Sequence, residues 1–119
     1  MKAITFKAND VTYNEAIDGE IIQVCFDEDP DQDPFKRNKC YLMISQNYEF
    51  GRDEPTIEWH DGNEDDGGTK VFSYSLNESL FELTTNDGVM FNIQHSCEKE
   101  ILIKIQEFLK HEYGSRKQI

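Results

Sequence analysis

Basic residues are scarce in this 119-residue chain: 12 Lys and Arg stand against 24 Asp and Glu, a formal charge of −12. That balance argues against nucleic acid and anionic lipid as partners, because their phosphates must be neutralised by Lys and Arg. Cysteine is sparse and odd in number, with Cys25, Cys40 and Cys97 and no C-x-x-C pair, so neither a disulfide framework nor a zinc ribbon fits. Long apolar runs are lacking: none approaches the ~20 residues needed to span a bilayer. The opening MKAITFKAND has no apolar h-region of a secretory signal. A cytoplasmic location with free thiols is therefore expected. The G-x-S-x-G elbow and the Gly-rich phosphate loop are missing too, and no catalysis, metal or cofactor is expected.

What is present is enough apolar residue for one core. Leu, Ile, Val and Phe make up 29 of the 119 residues, above the roughly 20% at which a highly charged chain reads as disordered. A chain of this length suits one domain, residues 1–119, and buries roughly two-thirds of its unfolded surface. The acidity is thus expected on the outside of a folded body, where a basic protein is the complementary partner.

Alternation of period two marks the strands. Ile4 and Phe6 share a face of AITFKA; Ile22, Val24 and Phe26 share one in EIIQVCF; KCYLMIS is almost wholly apolar, as for a strand covered on both faces. TIEWH is a short strand. In KVFSYSL, Phe72, Tyr74 and Leu76 fall on one face, and SLFELTT and VMFNIQH follow, joined by the hairpin signal Asn86-Asp87-Gly88. Asp18-Gly19 is a second turn signal. At Ser96 the period changes: Ile101, Leu102, Ile105, Phe108 and Leu109 form a helical stripe over about 97–111, with Ser96 as N-cap and Gly114 past the end. The expected fold is α+β, a mostly antiparallel β-sheet of six or seven strands packed by one C-terminal helix.

Two polar segments carry the charge. DEDPDQD holds Asp27, Glu28, Asp29, Asp31 and Asp33; DGNEDDGG holds Asp61, Glu64, Asp65 and Asp66. The first resembles a calcium loop only in its alternating carboxylates: counted from Asp27, Gln32 and Asn38 stand where an EF-hand needs Gly and Glu. His60, His95 and the three cysteines are scattered without zinc-ligand spacing. Cys97, at the expected helix N-terminus, is a candidate for a lowered thiol pKa. Carboxylates on solvated loops have nothing to raise their pKa for acid–base work. They suit a charged docking surface, with Tyr48 and Trp59 as candidate packed anchors.

The segments FKANDV, CYLMIS, IEW followed by a polar turn, GG leading into VFSYSL, and LFEL resemble the immunity protein 10 family of bacterial polymorphic toxin systems. The resemblance runs from about Phe6 to Phe108. It implies a small cytoplasmic protein that binds a cognate toxin domain and blocks it, with no catalysis of its own. If the toxin is a nuclease, the acidic loops would stand in for phosphates in its basic cleft. A second reading is a small ligand-binding or weakly catalytic accessory domain; a third is a homo-oligomer paired through a sheet edge.

Overall fold

A computed structural model describes residues 2–28, 39–50, 54–67 and 70–114, apart from the side chains of Phe50, Asp65 and Asp66. The strands are β1 (Lys2–Lys7), β2 (Asp10–Ala16), β3 (Ile21–Asp27), β4 (Cys40–Asn47), β5 (Thr56–Asp61), β6 (Asp65–Gly67), β7 (Val71–Leu76), β8 (Leu80–Thr85) and β9 (Val89–Gln94). A 3₁₀ turn covers Tyr48–Phe50, and helix α1 is Lys99–Tyr113. The α+β class, the mostly antiparallel pairing and the C-terminal helix are as expected.

The strands divide between two sheets. One has the order β1-β9-β8-β7, the other β2-β3-β4-β5-β6. All pairs are antiparallel except β1 with β9, which run parallel with Ile4 opposite Phe91 and Phe6 opposite Ile93. The inner faces meet in one core. Phe26 of β3 stacks on Phe81 of β8 with ring centroids 4.6 Å apart, and Trp59 of β5 meets Phe91 of β9 edge-on at 6.0 Å. β1 passes directly into β2 and so carries the chain from one sheet to the other; the Ala8 N–H bonds to Gln94 O, and the Asn9 N–H to Asp27 O.

Helix α1 closes the side of the sandwich between β2 and β7. Its stripe Leu102, Ile105, Phe108, Leu109 and Tyr113 is buried. Phe108 lies edge-on to Tyr13 of β2 at 6.4 Å, and Tyr113 lies against Tyr74 of β7 at 5.9 Å. Glu98, not Ser96, occupies the N-cap position, with no side-chain cap bond. Gly114 ends the helix at φ 67°, a conformation that favours glycine, and its N–H bonds to Lys110 O.

Two strand faces and one polar segment differ from the pattern read in the sequence. In β7 a register shift between Val71 and Ser73 puts Val71 and Tyr74 inside and turns Phe72 out, 65% exposed; an inserted residue on one strand reverses the alternation beyond it. β4 buries Leu42, Ile44 and Gln46 inward, while Tyr41, Met43 and Ser45 are half-buried on the other face. The polar segment after β5 is partly strand: β6 pairs Gly67 with Glu58. A Cβ on Gly67 would come 2.6 Å from Ile57 O, so only glycine permits that approach.

His95, 4% exposed, pins the strand-to-helix connection. Its Nε2 lies 2.9 Å from Asn77 O, an acceptor, so Nε2 carries the proton; Nδ1 accepts the Cys97 N–H at 3.4 Å. Burial lowers its pKa, outweighing the opposing bond to Asn77. The folded state therefore takes up its proton at lower pH than the unfolded chain. This contribution is complete above about pH 6.5 and is lost as pH falls through the folded pKa.

Thermal unfolding between pH 7.5 and pH 5 should show stability falling with pH, and His95→Asn should flatten that slope. Phe81→Ala, which empties the inter-sheet contact, should cost about 3–5 kcal/mol, read as a lower midpoint in urea at unchanged m-value.

Candidate partner-binding surface

The strand directions decide where the charged segments emerge. β4 is antiparallel to both β3 and β5, so the C-terminal ends of β3 and β5 lie at the same end of the second sheet. Asp27 and Glu28 leave from one, Asp61 and Glu64 from the other. Register adds a residue that loop composition does not reveal. Asp10, at the start of β2, stands directly opposite Asp27, which stands opposite Tyr41, which stands opposite His60. Because Ile22, Val24 and Phe26 point into the core, Asp27 and its cross-strand neighbours point outward.

This row is an acidic and aromatic rim. The rings of Tyr41 and His60 stack at 6.1 Å. Below it on the same face lies Cys25, whose thiol is pushed up to about 11, first by burial and then by Asp27 and Asp10. Like charges directly opposite in a sheet destabilise it; Asp10 against Asp27 is such a pair. Glu28 is built into the rim: its carboxylate accepts the Cys40 N–H at 3.2 Å, and its carbonyl accepts from Asn9 Nδ2 at 2.8 Å.

The Asp61 carboxylate is used internally. Oδ1 accepts the N–H groups of Asn63 at 2.8 Å and Glu64 at 2.7 Å, closing the β5–β6 turn. Oδ2 pairs with Lys2 at 2.6 Å. These bonds, the Glu64 N–H first and Lys2 next, hold its carboxyl well below the usual carboxylate range. Lys2 also pairs with Glu64 and sits 5.0 Å from the centre of the Trp59 ring. Of the second segment's charges, Asp61 is thus structural, and Glu64, with its side chain 62% exposed, is displayed.

The two candidate anchors do not join this rim. Trp59 is 3% exposed and belongs to the core; an anchor needs an exposed face, which Trp59 lacks. Tyr48 follows β4 at the opposite end of the sheet, roughly 27 Å along the chain from Cys40 at about 3.4 Å per residue. There its hydroxyl donates to Glu112, whose other oxygen accepts from Gln46 Nε2 at 3.1 Å. Tyr48 therefore borders a groove between α1 and the β2–β3 hairpin, lined by Tyr13, Ile22, Lys104, Phe108 and His111. Asp29, Asp31 and Asp33, and the side chains of Asp65 and Asp66, lie outside the described residues.

The Cys97 thiol is raised, not lowered. It precedes the helix by two residues, and burial outweighs the lowering hydrogen bond from its own backbone. No helix among the described residues is long and apolar enough to cross a membrane. No protein-family model, curated protein or solved structure matches the chain.

Asp61→Asn should destabilise the β5–β6 turn at neutral pH. Since the folded carboxyl holds its proton less tightly than the unfolded one, the stability it supplies is present above about pH 4 and lost as pH falls. Acid titration followed by circular dichroism should bring the unfolding free energies of variant and parent together toward pH 2.

Proposed function

We propose that the chain is an immunity protein: it binds a cognate bacterial toxin domain in the cytoplasm and blocks it by occupation, without chemistry of its own. The observation that carries this reading is the convergence at one end of one sheet of Asp10, Asp27 and Glu28 with Glu64, in a chain of net charge −12. A nuclease toxin offers the complementary surface, a basic cleft shaped for phosphates, and the resemblance of FKANDV, CYLMIS and VFSYSL to the immunity protein 10 family points the same way. The rim charges set encounter rate and partner choice, while Tyr41 and His60 supply the adjoining aromatic surface.

A second reading rests on a separate feature. An open groove of about 620 Å³ lies between the end of β7 and the start of α1, lined by Leu76, Asn77, Cys97, Leu102 and Ile103 among others. A small ligand of mixed polarity fits there, in keeping with an accessory binding domain.

The triple variant Asp10→Asn, Asp27→Asn, Glu28→Gln should bind the toxin domain about tenfold or more slowly at low salt, with the difference shrinking as ionic strength rises. Stopped-flow association across a salt series is the measurement. A rate that is unchanged at low salt removes the acidic rim from recognition.

A further inference from the structure

The outer face of the β1-β9-β8-β7 sheet is chemically unlike the rest of this acidic molecule. The residues whose neighbours point into the core can be read across the four strands. Ala3 pairs with Met90, Met90 with Thr84, and Thr84 with Ser73; the next row is Thr5, Asn92, Glu82 and Ser75; the third is Lys7, Gln94 and Leu80. Those residues include one cation and one anion, Lys7 and Glu82, which cancel. A chain of net charge −12 thus keeps one whole sheet face neutral.

Among the described residues, two of the four exposed large hydrophobic side chains stand on this face, Phe72 at 65% and Met90 at 41%. Phe72 is there because of the β7 register shift. Without the extra residue its side chain would have a place in the core alternation. Exposing most of a phenylalanine ring forgoes the gain of burying it, and a bulge that re-aims a side chain is a built feature of a sheet.

We propose that this face binds a second copy of the same chain, forming a weak two-fold dimer. Electrostatics selects the occupant. Two molecules of charge −12 repel when they meet through acidic surfaces, whereas two neutral faces meet with the carboxylates turned away. An isologous pairing also sets Phe72 and Met90 of each copy against the same kind of surface on the other. The area sets the strength. Four strands about 4.8 Å apart and six residues of about 3.4 Å make roughly 400 Å² of flat face per copy. Two such faces, about 800 Å², fall short of the roughly 1,200 Å² at which stable interfaces begin. The dimer therefore forms at high protein concentration and dissociates on dilution. The acidic rim is on the other sheet and stays open in the dimer, so self-association and recognition of a basic partner are independent.

Sedimentation velocity from about 10 μM to about 1 mM, at low and high salt, tests this. The expected result is a concentration-dependent shift from monomer to dimer that strengthens with salt, because screening reduces the repulsion between the two chains. Binding of a basic partner has the opposite salt dependence, so the two surfaces are distinguishable. Phe72→Ser and, independently, Met90→Lys should each weaken the dimer about tenfold or more; both residues are exposed, and circular dichroism should show unchanged folding. A monomer throughout the range overturns the proposal. So does a dimer that both variants leave intact, which would place the contact elsewhere, such as at a strand edge.

Discussion

The stacked pair of Phe26 and Phe81 is the contact on which the placement of everything else depends. It joins the two sheets near the end of β3, and it commits Phe26 to the inside. Since side chains alternate along a strand, Asp27 must then face out, and the β2–β3 register brings Asp10 beside it. A slip of one residue would exchange the two faces, burying Cys25 and Asp27 and exposing Phe26, Val24 and Ile22. The hydrophobic core and the acidic rim are consequences of one register. That is why the rim needs no dedicated scaffold: it is the outward half of a strand whose inward half holds the sandwich together.

Much of this architecture was legible in the chain because its signals are local. Ile4 and Phe6, Ile22 to Phe26, and Val89 to Ile93 alternate cleanly, and the structure buries those faces. The helix stripe from Leu102 to Leu109 and the closing Gly114 were readable for the same reason. The rest depends on relations between distant segments. The parallel pairing of β1 with β9 joins residues almost ninety positions apart, and nothing in either strand announces it. The division into two sheets follows from the passage of β1 into β2, whose half-buried DVTYNEA lacks a strong apolar alternation. The face of Phe72 is not legible in the sequence, because a bulge adds a residue without a composition signal. β6 resembles a loop in composition because its strand character comes from Gly67 approaching the Ile57 backbone.

The candidate surface was legible in part. Acidic composition marked Asp27, Glu28 and Glu64, but composition does not distinguish a displayed carboxylate from one used in folding. Asp61 belongs to the second kind: two backbone N–H groups and Lys2 engage it. Asp10 carries no signal in the sequence, because a single acid in a polar segment is unremarkable until register sets it opposite Asp27. Trp59, the lone tryptophan, turned out to be the floor beneath the Lys2 ammonium. Tyr48 proved to be part of a latch between β4 and the last turns of α1 through Glu112. Each of these residues carries a polar handle on a large apolar body, and only the fold determines which end is used.

Charge in this molecule is sorted rather than spread. One sheet gathers Asp10, Asp27 and Glu28 along a single end, at the expense of a like-charged pair directly opposite in register. The other sheet keeps its outer face neutral and exposes two large apolar side chains there. Neither the facing of Asp10 by Asp27 nor the exposure of Phe72 and Met90 favours an isolated monomer: the first brings like charges together and the second leaves apolar area in water. Sequences ordinarily agree with their folds at every level, and departures without a local benefit concentrate where a surface meets another molecule. The two departures lie on different sheets, separated by the core that Phe26 and Phe81 share. A contact on one surface therefore leaves the other free, and the sandwich reads as a rigid spacer between two surfaces of different chemistry.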